Sequence, residues 1–228
     1  MTATSVDYTK FTAEQLVASF LAESTQRACV TCSFQAEDMV VLDLVRQHRP
    51  DVAVLFLDTG YHFRETYAYR DRMTEELGLN LINLKADLSV AEQEAKHGRL
   101  YEVAPDYCCK IRKVEPLLRG LEPFDIWFTG LRREQSPSRA NLPFVEYPTL
   151  PSGRHITKVN ALAAWDWKST WRRLEERKIP YLPLYDDGYS SIGCQPCTTV
   201  PLDPGNPRSG RWGGQKLECG IHTFDEAK

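Results

Sequence analysis

Hydrophobic residues in the first half of the chain recur with two different periods. Val52–Leu57 (VAVLFL) is an unbroken apolar run, which is typical of a strand buried on both faces of a sheet. Ala36–Gln47 instead places its apolar residues at helical spacing. The same patterns predict helices at Ala13–Thr25, Phe63–Leu77 and Ser89–Lys96 and strands at Cys29–Phe34, Leu79–Leu84 and Asp125–Thr129. Strands that alternate with helices predict an α/β fold, with a mostly parallel sheet and helices on both of its faces.

The pattern changes after about Ser136, where prolines and glycines become more frequent. A helix is predicted before this point, at Tyr107–Arg119, with a kink or a division at Pro116. One further helix is predicted at Ser169–Lys178. Beyond Asp186 the chain has few periodic runs, which predicts a loop-rich tail.

The bulk composition of the 228 residues suits one medium-sized domain, with room for a small appendage. A net charge of −3 gives no broad attraction to nucleic acid or to an acidic membrane surface. The sequence has no apolar run long enough to cross a membrane, and its start lacks the features of a secretory signal. We therefore expect a cytoplasmic protein whose reduced cysteines serve as metal ligands or catalysts before they form disulfides.

Three loops with small and polar residues follow predicted strands: Ser33–Gln35, Asp58–Gly60 and Gly130–Arg132. Open α/β sheets bind ligands at the carboxyl ends of their strands, so these loops are candidates for a ligand pocket. Each loop taken alone is equally typical of an ordinary turn between a strand and a helix.

Four of the seven cysteines form two close pairs that can hold a metal centre. Cys108 and Cys109 are adjacent on a predicted helix, where neighbouring side chains point about 100° apart and would crowd a single zinc ion. Cys194 and Cys197 lie in a tight Cys-Gln-Pro-Cys loop of the kind that directs two sulfurs to one centre. Together the pairs favour an iron–sulfur cluster over zinc, because a cluster offers separate iron atoms to adjacent thiolates.

Cys29 and Cys32 also spell Cys-x-x-Cys, but they fall on a predicted strand. Residues three apart on a strand face opposite sides of the sheet, so the two thiols are poorly placed to share a metal or a disulfide. We interpret them as small side chains packed in the core.

Cys219 has no cysteine close to it in sequence and is a candidate nucleophile. Arg208, Arg211 and Lys216 precede it in a glycine-rich segment, and nearby positive charge lowers the pKa of a thiol. Such a segment can close a basic tail over an anionic substrate. The alternative is an exposed cysteine without a role near the end of the chain.

Together these motifs resemble the assimilatory adenylyl-sulfate reductases, in the bacterial single-domain form with a [4Fe–4S] cluster, of the PAPS/APS reductase family. The resemblance runs from about Ala28 to His222. The matching segments are CSFQAED (Cys32–Asp38), LDTG (Leu57–Gly60), ETY (Glu65–Tyr67), CCKIRKVEPL (Cys108–Leu117), TGLRREQSPSR (Thr129–Arg139), IGCQPCT (Ile192–Thr198), GRW (Gly210–Trp212) and KLECGIH (Lys216–His222). One position departs from the family pattern: Gln35 stands where the family usually has glycine, and a side chain there can block backbone contacts with a nucleotide.

The resemblance implies an adenine-nucleotide α-hydrolase-like fold, with Cys219 as the catalytic nucleophile. It implies a nucleotide- and cluster-binding reductase domain over residues 1–205 and a mobile C-terminal segment, which carries the catalytic cysteine, over residues 206–228. The implied ligands of a [4Fe–4S] cluster are Cys108, Cys109, Cys194 and Cys197. The implied substrate-binding residues are Ser33, Phe34, Leu57, Thr59, Lys113, Gly130, Arg139, Arg208, Arg211 and His222.

The activity that the resemblance implies is thioredoxin-dependent reduction of adenosine 5′-phosphosulfate (APS) to sulfite and AMP in sulfate assimilation, through an S-sulfocysteine on Cys219. The electron donor, reduced thioredoxin or glutaredoxin, is expected to be a separate protein, because the chain leaves no room for a fused thioredoxin-like domain. Members of the family form homo-oligomers, and neither nucleic acid nor a membrane is an expected partner.

Three alternatives stay open at this point. One is reduction of the 3′-phosphorylated nucleotide (PAPS), or of both nucleotides. The second is a zinc-stabilised binding module. The third is an ATP-dependent enzyme of the same fold group, which is disfavoured because its usual Ser-Gly-Gly-x-Asp loop is absent from the sequence.

Overall fold

The computed structural model describes residues 6–22, 24–203, 205–216 and 218–223, and it is built on one six-stranded sheet. The strands are β1 (Ala28–Thr31), β2 (Ala53–Asp58), β3 (Asn80–Lys85), β4 (Ile126–Thr129), β5 (Val145–Glu146) and β6 (Thr157–Asn160). They lie in the order β3-β2-β1-β4-β6-β5, and all neighbours are parallel except β5 and β6. The direction of winding reverses between β1 and β4, where open α/β sheets place their ligands.

Helices cover both faces of this sheet, as the alternating pattern predicts. They are α1 (Ala13–Leu21), α2 (Ala36–Arg46), α3 (Arg64–Leu77), α4 (Val90–His97), α5 (Leu100–Val103), α6 (Pro105–Cys109), α7 (Glu115–Leu121) and α8 (Trp167–Arg177). Alternate residues of β2 face two separate cores: Val54 and Phe56 pack in the larger one, which includes α1 and α2, whereas Leu55 packs in the smaller one against α7. The predicted α/β fold is confirmed.

The two strand cysteines follow the same alternation. Cys29 is buried in the smaller core and Cys32 in the larger one. They lie on opposite faces of the sheet, as their spacing predicts, and each packs as a small apolar side chain.

Local sequence signals explain where several helices begin and end. Thr12 and Gln15 form a capping box at the start of α1, and Ser89 and Glu92 form another at the start of α4. Gly78 ends α3 in the left-handed conformation. Helix α1 stops at Leu21, short of the Thr25 that the apolar pattern suggests.

The helix predicted at Tyr107–Arg119 is divided into three parts. Helix α6 ends at Cys109, a single π-helical turn occupies Lys110–Val114, and α7 begins at Glu115 with Pro116 in its first turn. A proline has no N–H to donate to the carbonyl four residues earlier, so the regular ladder cannot continue through it. The π turn sets the orientation of the side chains that follow the adjacent cysteines.

Strands β5 and β6 were not predicted. Strand β6 lies inside the sheet, yet Lys158 and Asn160 make its sequence polar. Both side chains are buried because they contact the Glu146 carboxylate, Lys158 at 2.8 Å and Asn160 at 2.6 Å. Beyond Asp186, as expected, the described residues form only loops and short 3₁₀ turns. No helix among the described residues is long and apolar enough to span a membrane.

Candidate active site

A cavity of about 450 Å³ opens at the carboxyl ends of β1, β2 and β4. Loops that follow these strands and segments from the C-terminal half of the chain line it together. The predicted site residues that line it are Ser33, Leu57, Lys113, Gly130, Arg139, Arg208, Arg211, Cys219 and His222. Residues that are far apart in the sequence therefore meet in one cavity large enough for a nucleotide.

Phe34 and Thr59 are outside this lining. The Phe34 side chain is fully buried in the core against Phe56 and Tyr69, and its φ of 63° turns the chain sharply at the cavity edge. The Thr59 hydroxyl lies 3.3 Å from the Cys194 sulfur, so it faces the paired cysteines instead. Both residues shape loops that border the cavity.

A buried carboxylate organises the loop after β1. The Asp38 carboxylate accepts hydrogen bonds from the Ser33 backbone N–H at 2.8 Å and from its hydroxyl at 2.6 Å. Burial and, after it, the Glu37 charge raise the pKa of Asp38 to about 6, although the Ser33 hydrogen bonds oppose this. Gly130 directly follows β4 and lies against Asp38, where a β-carbon on residue 130 would overlap Asp38 Oδ1. The two loops can approach this closely only because residue 130 is glycine.

Gln35 joins this loop to the segment that carries the second cysteine pair. Its amide nitrogen donates to the Ser33 hydroxyl at 3.0 Å, and its amide oxygen accepts from the Ile192 N–H at 2.7 Å. The backbone of Gln35 has φ −77° and ψ 165°, which any residue adopts without strain. Glycine is therefore not required here, and the side chain serves as a bridge between two loops.

Cations dominate the opposite wall of the cavity. The guanidinium groups of Arg208 and Arg211 approach the Ser191 hydroxyl at 3.5 and 3.4 Å, and Arg211 lies 4.4 Å from the centre of the Trp212 ring. Burial and then the charges of Arg139 and Arg211 lower the pKa of Arg208 to about 10. Such mutual repulsion among buried cations is relieved when an anion binds between them.

Cys219 lies among these cations and is partly buried. Burial alone would raise the pKa of its thiol. The Lys113 charge, the Ile221 backbone N–H and the charges of Arg211 and Arg139 lower it by more, so the net pKa of Cys219 is below its ordinary value. The thiolate, which is the reactive form of cysteine, is thus favoured at this position.

The residue before Cys219 anchors the tail. Arg139 donates to the Glu218 carboxylate through Nε at 2.8 Å and Nη2 at 2.6 Å, a two-bond pairing. The Ser138 hydroxyl donates to the same carboxylate at 2.8 Å. Leu217 and residues 224–228 lie outside the described residues, and the mobility expected for residues 206–228 stays a prediction.

The four paired cysteines meet beside this cavity, under Lys113. Cys108, Cys109, Cys194 and Cys197 line one small common pocket, and all four are free of disulfides. Burial, then Cys109, Cys194 and Cys197, raise the pKa of Cys108 to about 12. Burial and then Cys194 raise the pKa of Cys197 to about 11. The thiols are therefore close enough to repel one another as thiolates, which a bound metal centre would offset.

Positive groups surround the four thiols. Lys216 extends from the tail to within 3.5 Å of the Cys109 sulfur and 2.6 Å of the Asp106 carboxylate. The Arg112 guanidinium donates to the Leu88 carbonyl at 3.2 Å and stacks on Tyr61. Across residues 6–22, 24–203, 205–216 and 218–223, no group of three or more His, Cys, Asp or Glu side chains is arranged to hold a single metal ion. Four cysteine thiols in one pocket match in number and type the ligand set of an iron–sulfur cluster.

His222 packs at the inner end of the cavity. Its ring stacks on Trp127 with centroids 5.6 Å apart and an interplanar angle of 15°. Burial, followed by the charges of Lys158, Arg139 and Arg208, lowers the pKa of His222 well below its usual range, so the ring is neutral at neutral pH. Lys158 Nζ lies 3.4 Å from the His222 carbonyl oxygen, which holds this part of the tail against β6.

Among the cavity residues that the sequence analysis did not name as site residues are a histidine and a buried arginine. His62 lies 2.8 Å from the Leu57 carbonyl oxygen, and burial lowers its pKa to about 4. Arg132 is buried, pairs with Glu134 at 2.7 Å and lies over the Trp167 ring. Arg132 ends one of the three candidate loops, so its position in the sequence could have identified it as a site residue. His62 is a single histidine after a turn and gives no comparable signal.

Comparison with known proteins agrees with this geometry. The profile of the phosphoadenosine phosphosulfate reductase domain matches residues 27–200. The chain belongs to this family. The family resemblance carried by the sequence motifs is therefore confirmed.

Two curated relatives and two solved structures illustrate the match. An adenosine 5′-phosphosulfate reductase of Rhodococcus opacus (strain B4) is 45% identical over 189 residues, covering 82% of this chain and 75% of the relative. A phosphoadenosine 5′-phosphosulfate reductase of Gloeobacter violaceus (strain ATCC 29082 / PCC 7421) is 44% identical over 196 residues, covering 84% of this chain and 80% of the relative. The crystal structure of phosphoadenylyl-sulfate reductase from Candida auris, a phosphate complex, has a TM-score of 0.70 and 26% identity, covering 84% of this chain and 92% of that one. An FMN adenylyltransferase of Candida glabrata shares the fold, with a TM-score of 0.60 at 13% identity over 90% of this chain and 71% of that one.

Proposed function

We propose that this protein is an oxidoreductase that reduces APS to sulfite and AMP in sulfate assimilation. The observation that carries the proposal is the position of Cys219, a thiol of lowered pKa inside a cation-lined cavity at the ligand-binding edge of the sheet. The family membership and the name of the Rhodococcus relative support the same substrate. A cytoplasmic location, with a separate thioredoxin or glutaredoxin as reductant and a possible homo-oligomeric assembly, completes the proposal.

The substrate places its nucleotide and its phosphosulfate in different parts of the cavity. The loops at Ser33 and Gly130 and the end of β2 at Leu57 approach the nucleotide. Lys113, Arg139, Arg208 and Arg211 bind the phosphosulfate and offset its negative charge. That charge would otherwise repel the Cys219 thiolate, so the same cations bind the substrate and permit the attack.

The chemistry consists of two substitutions at sulfur. The Cys219 thiolate attacks the sulfate sulfur, the bond from that sulfur to the phosphate oxygen breaks, and AMP leaves as the anion. A thiolate of reduced thioredoxin then attacks the Cys219 sulfur and sulfite departs with the electron pair of the S–S bond. The second thiol of thioredoxin resolves the mixed disulfide and regenerates the Cys219 thiolate, so the dithiol supplies both electrons.

Cys108, Cys109, Cys194 and Cys197 would hold a [4Fe–4S] cluster through four thiolate ligands. The cluster would supply a fixed negative charge beside Lys113 that orders the cations of the cavity. In this role the cluster need not exchange electrons, because Cys219 and the thioredoxin dithiol account for both electrons of the reduction. Lys113 can respond to such a charge. Burial lowers the pKa of Lys113, but the charges of Cys194, Cys219 and Cys109 outweigh burial, so its net pKa is raised and it stays protonated.

The test uses APS labelled at sulfur and no thioredoxin. We expect the purified protein to retain label covalently and to release one equivalent of AMP, because the first substitution needs no reductant. Cys219→Ser should retain no label, while Cys29→Ser, whose thiol is buried in the smaller core outside the cavity lining, serves as the matched control. Retention of label by Cys219→Ser would reject the assignment.

Reduction of PAPS, alone or together with APS, is the second candidate, and the name of the Gloeobacter relative favours it. Both nucleotides present the same phosphosulfate to Cys219, so the labelling reaction alone does not separate them. Competition between APS and PAPS at equal concentration, followed by mass analysis of the released AMP or its 3′-phosphorylated analogue, gives the preference directly.

A further inference from the structure

One ion pair connects the tail to the body of the protein at the residue next to the proposed nucleophile. Glu218 lies 79 positions after Arg139 in the sequence, yet the two side chains share two hydrogen bonds of 2.8 and 2.6 Å. Ser138 adds a third bond to the same carboxylate. These three hydrogen bonds all come from the loop between β4 and β5, which also lines the cavity.

This pair is more shielded from water than the ion pair that Lys216 of the tail makes with Asp106. The side chains of Arg139 and Glu218 are 11% and 17% exposed, whereas the Asp106 carboxylate that pairs with Lys216 is 89% exposed. Exposed pairs contribute little to holding two segments together, because water and salt screen them. Removing one partner of a shielded pair leaves the other charge without compensation, which is a much larger change.

Arg139 can contact Glu218 and an anionic substrate at the same time. A guanidinium group has five N–H donors in a fixed planar fork. Among the described residues, Glu218 takes one hydrogen from Nε and one from Nη2, and Gln135 takes one from Nη1. These three bonds use three of the five N–H groups of Arg139 and leave two for another acceptor. The tail therefore does not have to leave Arg139 for the substrate to bind there.

We propose that Glu218 is the positioning residue of the catalytic tail: by docking on Arg139 it places the Cys219 sulfur in the cavity, and it makes tail closure depend on the arginine that also binds the substrate anion. This inference rests on the proposed function for the identity of that anion. Glu218 itself does not touch the reacting atoms.

The first measurement needs no substrate. Purified protein is treated with iodoacetamide, and alkylation of the Cys219 peptide is followed by mass spectrometry. The reaction is run at a pH high enough that the alkylation rate no longer increases with pH, so that differences in the pKa of the thiol do not contribute. We expect Glu218→Gln to accelerate alkylation by about fivefold or more, because the tail opens more often. The matched control, Asp106→Asn, removes a carboxylate from the exposed tail pair and should change the rate by less than about twofold.

A double variant that exchanges the two charged residues tests tail docking independently of substrate binding. Arg139→Glu combined with Glu218→Arg re-forms the ion pair in the opposite sense, so slow alkylation should return. This double variant should not be sulfonated at Cys219 by APS, because residue 139 is no longer the arginine that binds the substrate anion. Fast alkylation in the double variant, despite a melting temperature equal to that of the unmodified protein, would overturn the proposal.

The second measurement is a single turnover with labelled APS and Glu218→Gln. We expect a lower rate of AMP release with a dissociation constant for APS within about twofold of the unmodified value, since Arg139 is intact. Tighter APS binding with a faster turnover would mean that Glu218 competes with the substrate for Arg139, and would overturn the inference. If the unmodified protein is not sulfonated at all, the proposed function fails, and the alkylation rates alone decide the role of Glu218.

Discussion

The four paired cysteines lie on one side of Lys113 and Cys219 lies on the other. We call them the two thiol groups, and their surroundings shift their pKa values in opposite directions. On one side, the pKa of Cys108 is raised to about 12 and that of Cys197 to about 11, because burial is reinforced by neighbouring thiols. On the other side, the pKa of Cys219 is lowered, because Lys113 and two arginines outweigh the effect of burial. The type of residue is the same, and the neighbours decide the chemistry.

The difference has a physical consequence for both groups. Thiols that repel each other as thiolates gain most from a positively charged metal centre that binds all of them together. A thiol whose thiolate is stabilised mainly by cations needs no metal for this, and so stays free to react. Lys113 contributes to both sides, since Cys194, Cys219 and Cys109 all raise its pKa against the effect of burial.

The largest expected effect comes from removing one member of the group of four. Cys197→Ala should lower iron and acid-labile sulfide to background after anaerobic purification, because three thiolates do not complete the ligand set. Cys29→Ala removes a thiol that is buried in the smaller core and should leave both contents unchanged. Zinc without sulfide in the unmodified protein would remove the cluster from the proposal and restore the zinc-stabilised alternative.

A smaller effect is expected from the cation that the two groups share. Lys113→Met should raise the pKa of Cys219, because it removes the largest of the charges that lower it. The pH at which alkylation of Cys219 reaches half its maximal rate then moves upward, and the rate at neutral pH falls severalfold. Lys110→Met, an exposed position on the same π turn, is the control. An unshifted profile in Lys113→Met, with the iron content unchanged, would mean that Lys113 does not set the thiolate.

These contrasts were only partly predictable from the sequence. The apolar run of β2 and the helical spacing of α2 identify the sheet and its covering helices, because burial on two faces leaves a strong local pattern. Strand β6 escapes the same reasoning, because Lys158 and Asn160 are buried by pairing with Glu146 rather than by being apolar. A strand held by polar pairing gives no hydrophobic signal.

The site divides in the same way. The cysteine pairs and the loop at Gly130 are visible locally, through spacing and through the position after a strand. The contact between Arg139 and Glu218 joins residues 79 positions apart, and the Gln35 bridge to Ile192 joins residues 157 apart, so neither leaves a pattern in any short window. The sequence analysis considered Gln35 only as a side chain that can block contacts with a nucleotide, and it gave no sign that Gln35 ties the loop to the cysteine segment.

The smallest effect sharpens the comparison between two lysines. Lys216 lies 3.5 Å from the Cys109 sulfur. Burial raises the pKa of Cys109, and Lys113 and then Lys216 oppose this, whereas the charges that lower the pKa of Cys219 are those of Lys113, Arg211 and Arg139. Lys216→Met should therefore leave the alkylation profile of Cys219 where it is in the unmodified protein. A profile shifted as far as that of Lys113→Met would show that Cys219 responds to the total positive charge near it. The low pKa of Cys219 would then reflect the number of cations around it rather than the position of Lys113.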